Sequence, residues 1–181
     1  MTFNATEWIA ANTTGGTNLT DEANKSVASF TTMWNFFEST LCENRASIAA
    51  FQRAIQHYQS ARASQSAKQS LQDCLSFWQF RYQSPDGFND YFESLYFRPN
   101  DRRDHVEGVL SGRLTTDEEK LLALMIIIYR LRNNLFHGLK TLEMLNHQVQ
   151  NLNTASRCLA AILELIPTRF VQPLRRRAAN Q

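Results

Sequence analysis

The chain has 181 residues, 43% of them apolar and 20% charged, with a formal net charge of +2. That length suits one domain with a core of its own, and so small a charge excludes nucleic-acid binding by bulk electrostatics alone. Six glycines and four prolines leave long stretches without a breaker, which favours helices over many short strands.

In chain order, MTFNATEWIAAN shows no basic region ahead of a long apolar run, so no secretory signal is expected. A short amphipathic piece around Trp8 and Ile9 leads into the loop NTTGGTN, and residues 1–19 read as an N-terminal segment. The domain is expected over 20–166. Thr20 caps a first long helix with Asp21 and Glu22 in its first turn, and Val27, Phe30, Trp34, Phe37 and Leu41 form its inner face. A second helix is expected from about Asn44 to Ser60, with Ile48, Phe51, Ile55 and Tyr58 inward. SARASQSAKQS is either a joint or the solvated start of the next helix. From Leu71 the inward pattern is Leu71, Cys74, Leu75, Trp78, Phe80 and Tyr82, stopped by SPDG.

FNDYFESLYF, stopped by RPND, gives a short aromatic helix or turn that caps the core. RRDHVEGVLSGRL follows as a short helix in a surface excursion. Thr115 with Glu118 makes a capping box for the best-defined helix, which is apolar at nearly every position from Leu121 to Leu131 and stopped by Gly138. Its apolar run, Leu121 to Tyr129, is about half the ~20 residues that span a bilayer. The last long helix, about Leu139 to Ile166, carries a heptad stripe through Leu142, Leu145, Val149, Leu152, Ser156, Leu159, Leu163 and Ile166. Pro167 ends it, and residues 167–181 form a basic tail with Arg175 to Arg177. The fold class expected is all-α, an up-and-down bundle of four or five main helices with short extra helices.

Three widely spaced cysteines, Cys42, Cys74 and Cys158, fit neither a disulfide framework nor a zinc pattern, and a reduced, cytoplasmic protein is expected. Fifteen arginines against four lysines favour planar forks suited to phosphate, although a compositional habit explains the bias more simply.

The buried helix ends in YRLRNNLFHG, residues 129–138, the densest polar cluster in the chain. A histidine exchanges protons near neutral pH, and an arginine holds two phosphate oxygens. Together they suit RNA cleavage without a metal or other cofactor. His137 would act as general base on the ribose 2′-hydroxyl, Arg132 would steady charge on the phosphate, and Asn133 would orient either group. Arg130, Asn134 and Lys140 would contact the RNA backbone. Asn133 and His137 share a helix face, whereas Arg132 and His137 lie roughly 140° apart on an ideal helix. Arg132 must therefore reach round, the helix must unwind near Gly138, or a second subunit must complete the site across a twofold axis. The plain alternative is a polar helix terminus with its cations set against the dipole.

The same stretch resembles the signature of the HEPN superfamily, most closely the Apea-like HEPN domains, in which arginine-asparagine precedes "FHG" by a few residues. Arg132, Asn133 and His137 match that pattern residue by residue, and Arg130 with His137 fits its longest spacing. The resemblance implies a metal-independent endoribonuclease that dimerises so that both motifs line one cleft. It also implies a toxin or anti-phage role, with an antitoxin or defence-system partner. A non-catalytic module of the same fold, binding RNA, nucleotide or a protein, is the alternative, and a plain helical dimerisation protein a third. His57, His105 and His147 are isolated and read as surface or satisfied histidines. Asp117, Glu118 and Glu119 are explained by a helix first turn. DRRDH, residues 101–105, reads as a solvated charge cluster.

Overall fold

The computed structural model describes residues 3–12, 19–136 and 142–168 and is built almost wholly from helices. After α1 (Ala5–Asn12), Thr20 opens α2 (Asp21–Leu41) by accepting the Ala23 amide on its hydroxyl at 3.2 Å, as the sequence requires. Ala23, Phe30, Trp34 and Phe37 form the buried face of α2. The next helix, α3 (Ile48–Ile55), is shorter than the expected Asn44–Ser60. Glu43 and Asn44 take left-handed φ values of 51° and 59°, so α-helix begins only after Ser47, whose hydroxyl accepts the Ala50 amide. The polar SARASQSAKQS stretch divides: Ser60–Arg62 form a 3₁₀ turn, and from the Ser64 cap onward it is the solvated start of α4 (Gln65–Tyr82).

SPDG then makes a two-residue hairpin, β1 (Gln83–Ser84) against β2 (Gly87–Phe88), with Gln83 opposite Phe88. Gly87 sits at φ 123°, which only glycine adopts without strain. The short α5 (Asp90–Glu93) follows, and Asn89 caps it by accepting the Tyr91 and Phe92 amides. α6 (Arg103–Leu110) leads to α7 (Asp117–Phe136). The capping box of α7 lies one residue later than expected. Thr116 and Glu119 exchange the two bonds, Glu119 N–H to Thr116 Oγ1 at 3.2 Å and Thr116 N–H to Glu119 Oε2 at 2.9 Å.

The expected unbroken helix from Leu139 to Ile166 is instead α8 (Leu142–Leu145), a 3₁₀ turn over Asn146–Gln148, and α9 (Val149–Leu165). The break falls on Asn146–Gln148, the polar residues between the stripe positions Leu145 and Val149. Asn146 Oδ1 there accepts the Thr20 amide at 2.9 Å, and Gln148 accepts from Asn151. Residues 137–141, including the Gly138 stop, lie outside the described residues, as does the tail from 169.

Four long helices make the bundle. α2 and α9 run in the same direction: Thr20 meets Asn146 at one end, and Leu41 and Cys42 line a groove with Ile166 and Pro167 at the other. α4 runs against them, because Leu71 meets Leu165 in one crevice while Cys74 Sγ reaches the Thr154 carbonyl at 3.6 Å. α7 starts beside that crevice and ends against Leu145, Gln148 and Leu152. The excursion over 83–116 thus carries the chain back to its starting end, and α7 runs parallel to α4. The all-α bundle is as expected, with two helices up and two down. Leu121 to Ile128 are all buried, and α7 packs on α3, α6 and α9. Among the described residues no helix is long and apolar enough to cross a membrane.

The three cysteines are buried, free thiols. Burial, and then the Glu38 carboxylate, push the Cys42 thiol up to about 12. Thiolate is therefore scarce at neutral pH. Iodoacetamide at pH 8 is expected to alkylate Cys42 at least tenfold more slowly in the native protein than in urea, read by peptide mass spectrometry. Equal rates would mean that the α2–α3 corner opens freely.

Candidate functional site

α7 changes character over its last two turns. Its apolar body ends at Leu131, and Arg130, Asn133 and Asn134 are nonetheless buried. Buried polar groups need partners, and those partners divide the cluster into two faces.

On one face, the Arg132 guanidinium carbon lies 5.7 Å from the centroid of the Trp34 ring on α2. That ring stacks on Tyr129 at 6.1 Å, and its indole N–H donates to Glu38 Oε2 at 2.9 Å. Arg132 Nη1 donates to Asn133 Oδ1 at 3.1 Å. An aromatic ring and an amide therefore fix the fork, and Arg132 remains partly exposed. A cation–π contact of this kind contributes on the order of 0.5–2 kcal/mol, so its larger effect is to limit the orientations of the guanidinium.

On the other face, Arg130 is 2% exposed. Its Nε donates to the Leu95 carbonyl at 3.0 Å, its Nη2 reaches Asn134 Oδ1 at 3.5 Å, and its Nη1 pairs with Asp101 Oδ2 at 3.1 Å. Asp101 Oδ2 also accepts the Arg98 amide at 2.7 Å. Asn134, 1% exposed, donates to the Ser94 and Leu95 carbonyls at 3.0 and 3.2 Å. Burial pulls the Arg130 guanidinium below its usual range, and Asp101 offsets part of that pull. Arg130 and Asn134, expected to touch RNA, instead face the chain's own 94–101 loop and present no donor to solvent. Isolated backbone carbonyls in that loop, far from α7 in sequence, attract them.

Other expectations also resolve. DRRDH is not a solvated cluster: Asp101 is buried on Arg130, Arg103 bridges Glu93 and Glu107, and buried His105 bonds the Glu119 carbonyl through Nε2 at 3.0 Å. His57 and His147 are exposed. Phe80, expected inward, is 89% exposed. Among the described residues no cluster of three or more metal-ligating side chains occurs. His137 and Lys140 lie outside the described residues, as do Arg175 to Arg177. Trp34 and Asp101 were not anticipated as site residues, and neither carries a local signal, since each reaches α7 from a separate helix or loop.

A cavity of only about 10 Å³, lined by Leu131, Asn134, Leu135, Leu145, Gln148 and Leu152, lies beside the end of α7. That holds one water at most. That cavity is too small for a nucleotide. Comparison of the chain with protein-family models, with curated proteins and with solved structures found no match.

Proposed function

We propose that the chain is a metal-independent endoribonuclease of the HEPN type, a cytoplasmic dimer serving as a toxin or anti-phage effector under an antitoxin or defence-system partner. The observation that carries the reading is the Arg132 fork, held on Trp34 and bonded to Asn133 in the last turns of a buried helix. A guanidinium held in this way is suited to phosphate, and it bends toward the amide whose spacing pairs it with His137. Of the two arginines that fit the motif, this geometry favours Arg132, because Arg130 is engaged by Asp101 and Leu95.

In the proposed reaction the His137 imidazole takes the 2′-hydroxyl proton and O2′ attacks the adjacent phosphorus. The P–O5′ bond breaks, and the 5′-oxygen takes up a proton. Arg132 steadies the charge on the equatorial oxygens, and Asn133 holds Arg132 in place. The second motif of a twofold dimer would supply the remaining donors. Arg130 and Asn134 position the helix end rather than touch RNA.

The chemistry predicts the ends of the products. Purified protein incubated with total cellular RNA in EDTA is expected to give fragments with 2′,3′-cyclic phosphate and 5′-hydroxyl ends. The check is ligation and phosphatase sensitivity of the fragments. Cleavage that stops in EDTA, or 5′-phosphate ends, would refute the mechanism.

A further inference from the structure

The residues that grip Leu95 and Asp101 hold a whole arm to α7. The inner side of that arm, residues 81–102, is an aromatic stack. Phe88 lies on Phe92 at 4.3 Å, Phe97 meets Phe92 at 5.2 Å, and Tyr82 meets it at 5.9 Å. This stack caps the core, as the sequence led us to expect.

The outer side was not expected. Tyr91 is 58% exposed and Tyr96 55% exposed. Tyr96 also has φ 51°, a left-handed conformation that is an outlier for a bulky residue and that the surroundings must hold. They do so from both sides: Arg130 and Asn134 grip the Leu95 carbonyl, and the Tyr96 amide bonds the Glu93 carbonyl at 2.9 Å.

The cation on Tyr91 favours an anionic occupant. The Arg81 guanidinium lies over the Tyr91 ring at 4.7 Å, and among the described residues no carboxylate pairs with it. Glu93 is engaged by Arg103 and Asp101 by Arg130. Arg81, Arg98 and Arg102 then stand against Asp86 and Asp90 within 81–102. Exposed rings beside an unpaired fork suit an anionic polymer with flat faces, and bases stack on aromatic rings whatever their sequence. Apolar protein partners have no use for the fork.

We infer that the outer face of this arm is a single-stranded RNA platform, with bases stacking on Tyr91 and Tyr96 and a backbone phosphate on Arg81. The inference rests on the ribonuclease reading for its substrate class. It adds how the strand is held and why Arg130 and Asn134 face inward: they fix the platform to the helix that carries Arg132.

The test uses the full chain carrying His137→Ala, so that bound RNA is not cut. Anisotropy of a labelled 12-nucleotide single strand is compared with that of the same strand lacking its central bases. Tyr91→Ala with Tyr96→Ala is expected to weaken binding of the intact strand by about tenfold per ring. Tyr91→Phe with Tyr96→Phe should bind like the parent, and the abasic strand should bind weakly throughout. Arg81→Gln, at a partly exposed side chain, should lower the salt slope by about one. Unchanged affinity in the alanine pair, with melting as in the parent, would overturn the platform. So would a parent protein with no measurable affinity for single strands, which would give the face to a protein partner. If the alanine pair misfolds, an Arg81→Gln salt slope equal to the parent's has the same effect. Arm-dependent binding without cleavage by wild type would sink the ribonuclease reading and leave the platform standing. Cleavage that is indifferent to the arm would do the reverse.

Discussion

On the ribonuclease proposal, replacing His137 by alanine is expected to abolish RNA cleavage while leaving the melting temperature and the oligomeric state unchanged. General base catalysis contributes about 10²–10⁴-fold, and a positioned charge donor contributes ~10²–10³-fold. Loss of His137 removes the first and loss of Arg132 the second. Arg132→Lys separates the two functions of the arginine. A lysine keeps the positive charge, but it loses the planar fork that lies on Trp34 and bonds Asn133. Arg132→Lys should therefore retain little more activity than Arg132→Ala. Mixing gives a sharper result. If both motifs line one cleft, an Arg132→Ala protomer paired with a His137→Ala protomer still supplies one arginine and one histidine. Co-refolded mixtures are then expected to recover a measurable part of wild-type cleavage that neither variant shows alone. Wild-type activity in His137→Ala would remove the assignment outright. No recovery in a mixture shown to contain heterodimers would confine each site to one protomer.

How much of this was legible in the sequence depends on the range of the interaction. The caps were, because a cap bonds three residues along: Thr20 sits where its side chain implied, and the α7 box was off by one residue only because Thr115 and Thr116 offer the same hydroxyl to successive glutamates. The burial of α7 was legible from its composition. Phe80 was misplaced because it was grouped with Trp78 and Tyr82 by its aromatic character, whereas two residues is roughly 200° on a helix and puts it opposite the buried face of Leu71, Cys74, Leu75, Trp78 and Tyr82. The break at Asn146 was not legible, since the partner that Asn146 bonds there, the Thr20 amide, lies 126 residues away. The two arginines of the motif looked interchangeable by spacing. What distinguishes them is Asp101 and the Leu95 carbonyl on one side and Trp34 on the other, and none of these adjoins α7 in the chain.

Asp101→Ala is expected to lower stability by about 3–5 kcal/mol, the range for removing one partner of a buried ion pair. The reason is the charge left behind. Arg130 does not give up its proton, and at 2% exposure it has no route to water. Asp101 also accepts the Arg98 amide, so the loop loses a backbone anchor in the same substitution. For a domain of this size each kcal/mol shifts the melting temperature by about 2–4 °C, which puts the expected fall at roughly 6–20 °C. Replacing both partners, Arg130→Met with Asp101→Leu, should cost far less, because no buried charge is stranded. The pair of melts separates two views of Arg130. If it were a spare cation awaiting RNA, Asp101→Ala would free it and melt near wild type. If it fastens the 94–101 loop to α7, the single variant falls steeply and the double variant recovers much of the loss. The double variant should also loosen Tyr96 while leaving Trp34 and Arg132 undisturbed on the far face. A melt of Asp101→Ala within 1–2 °C of wild type would contradict the buried pair and, with it, the attachment of the arm to the helix end.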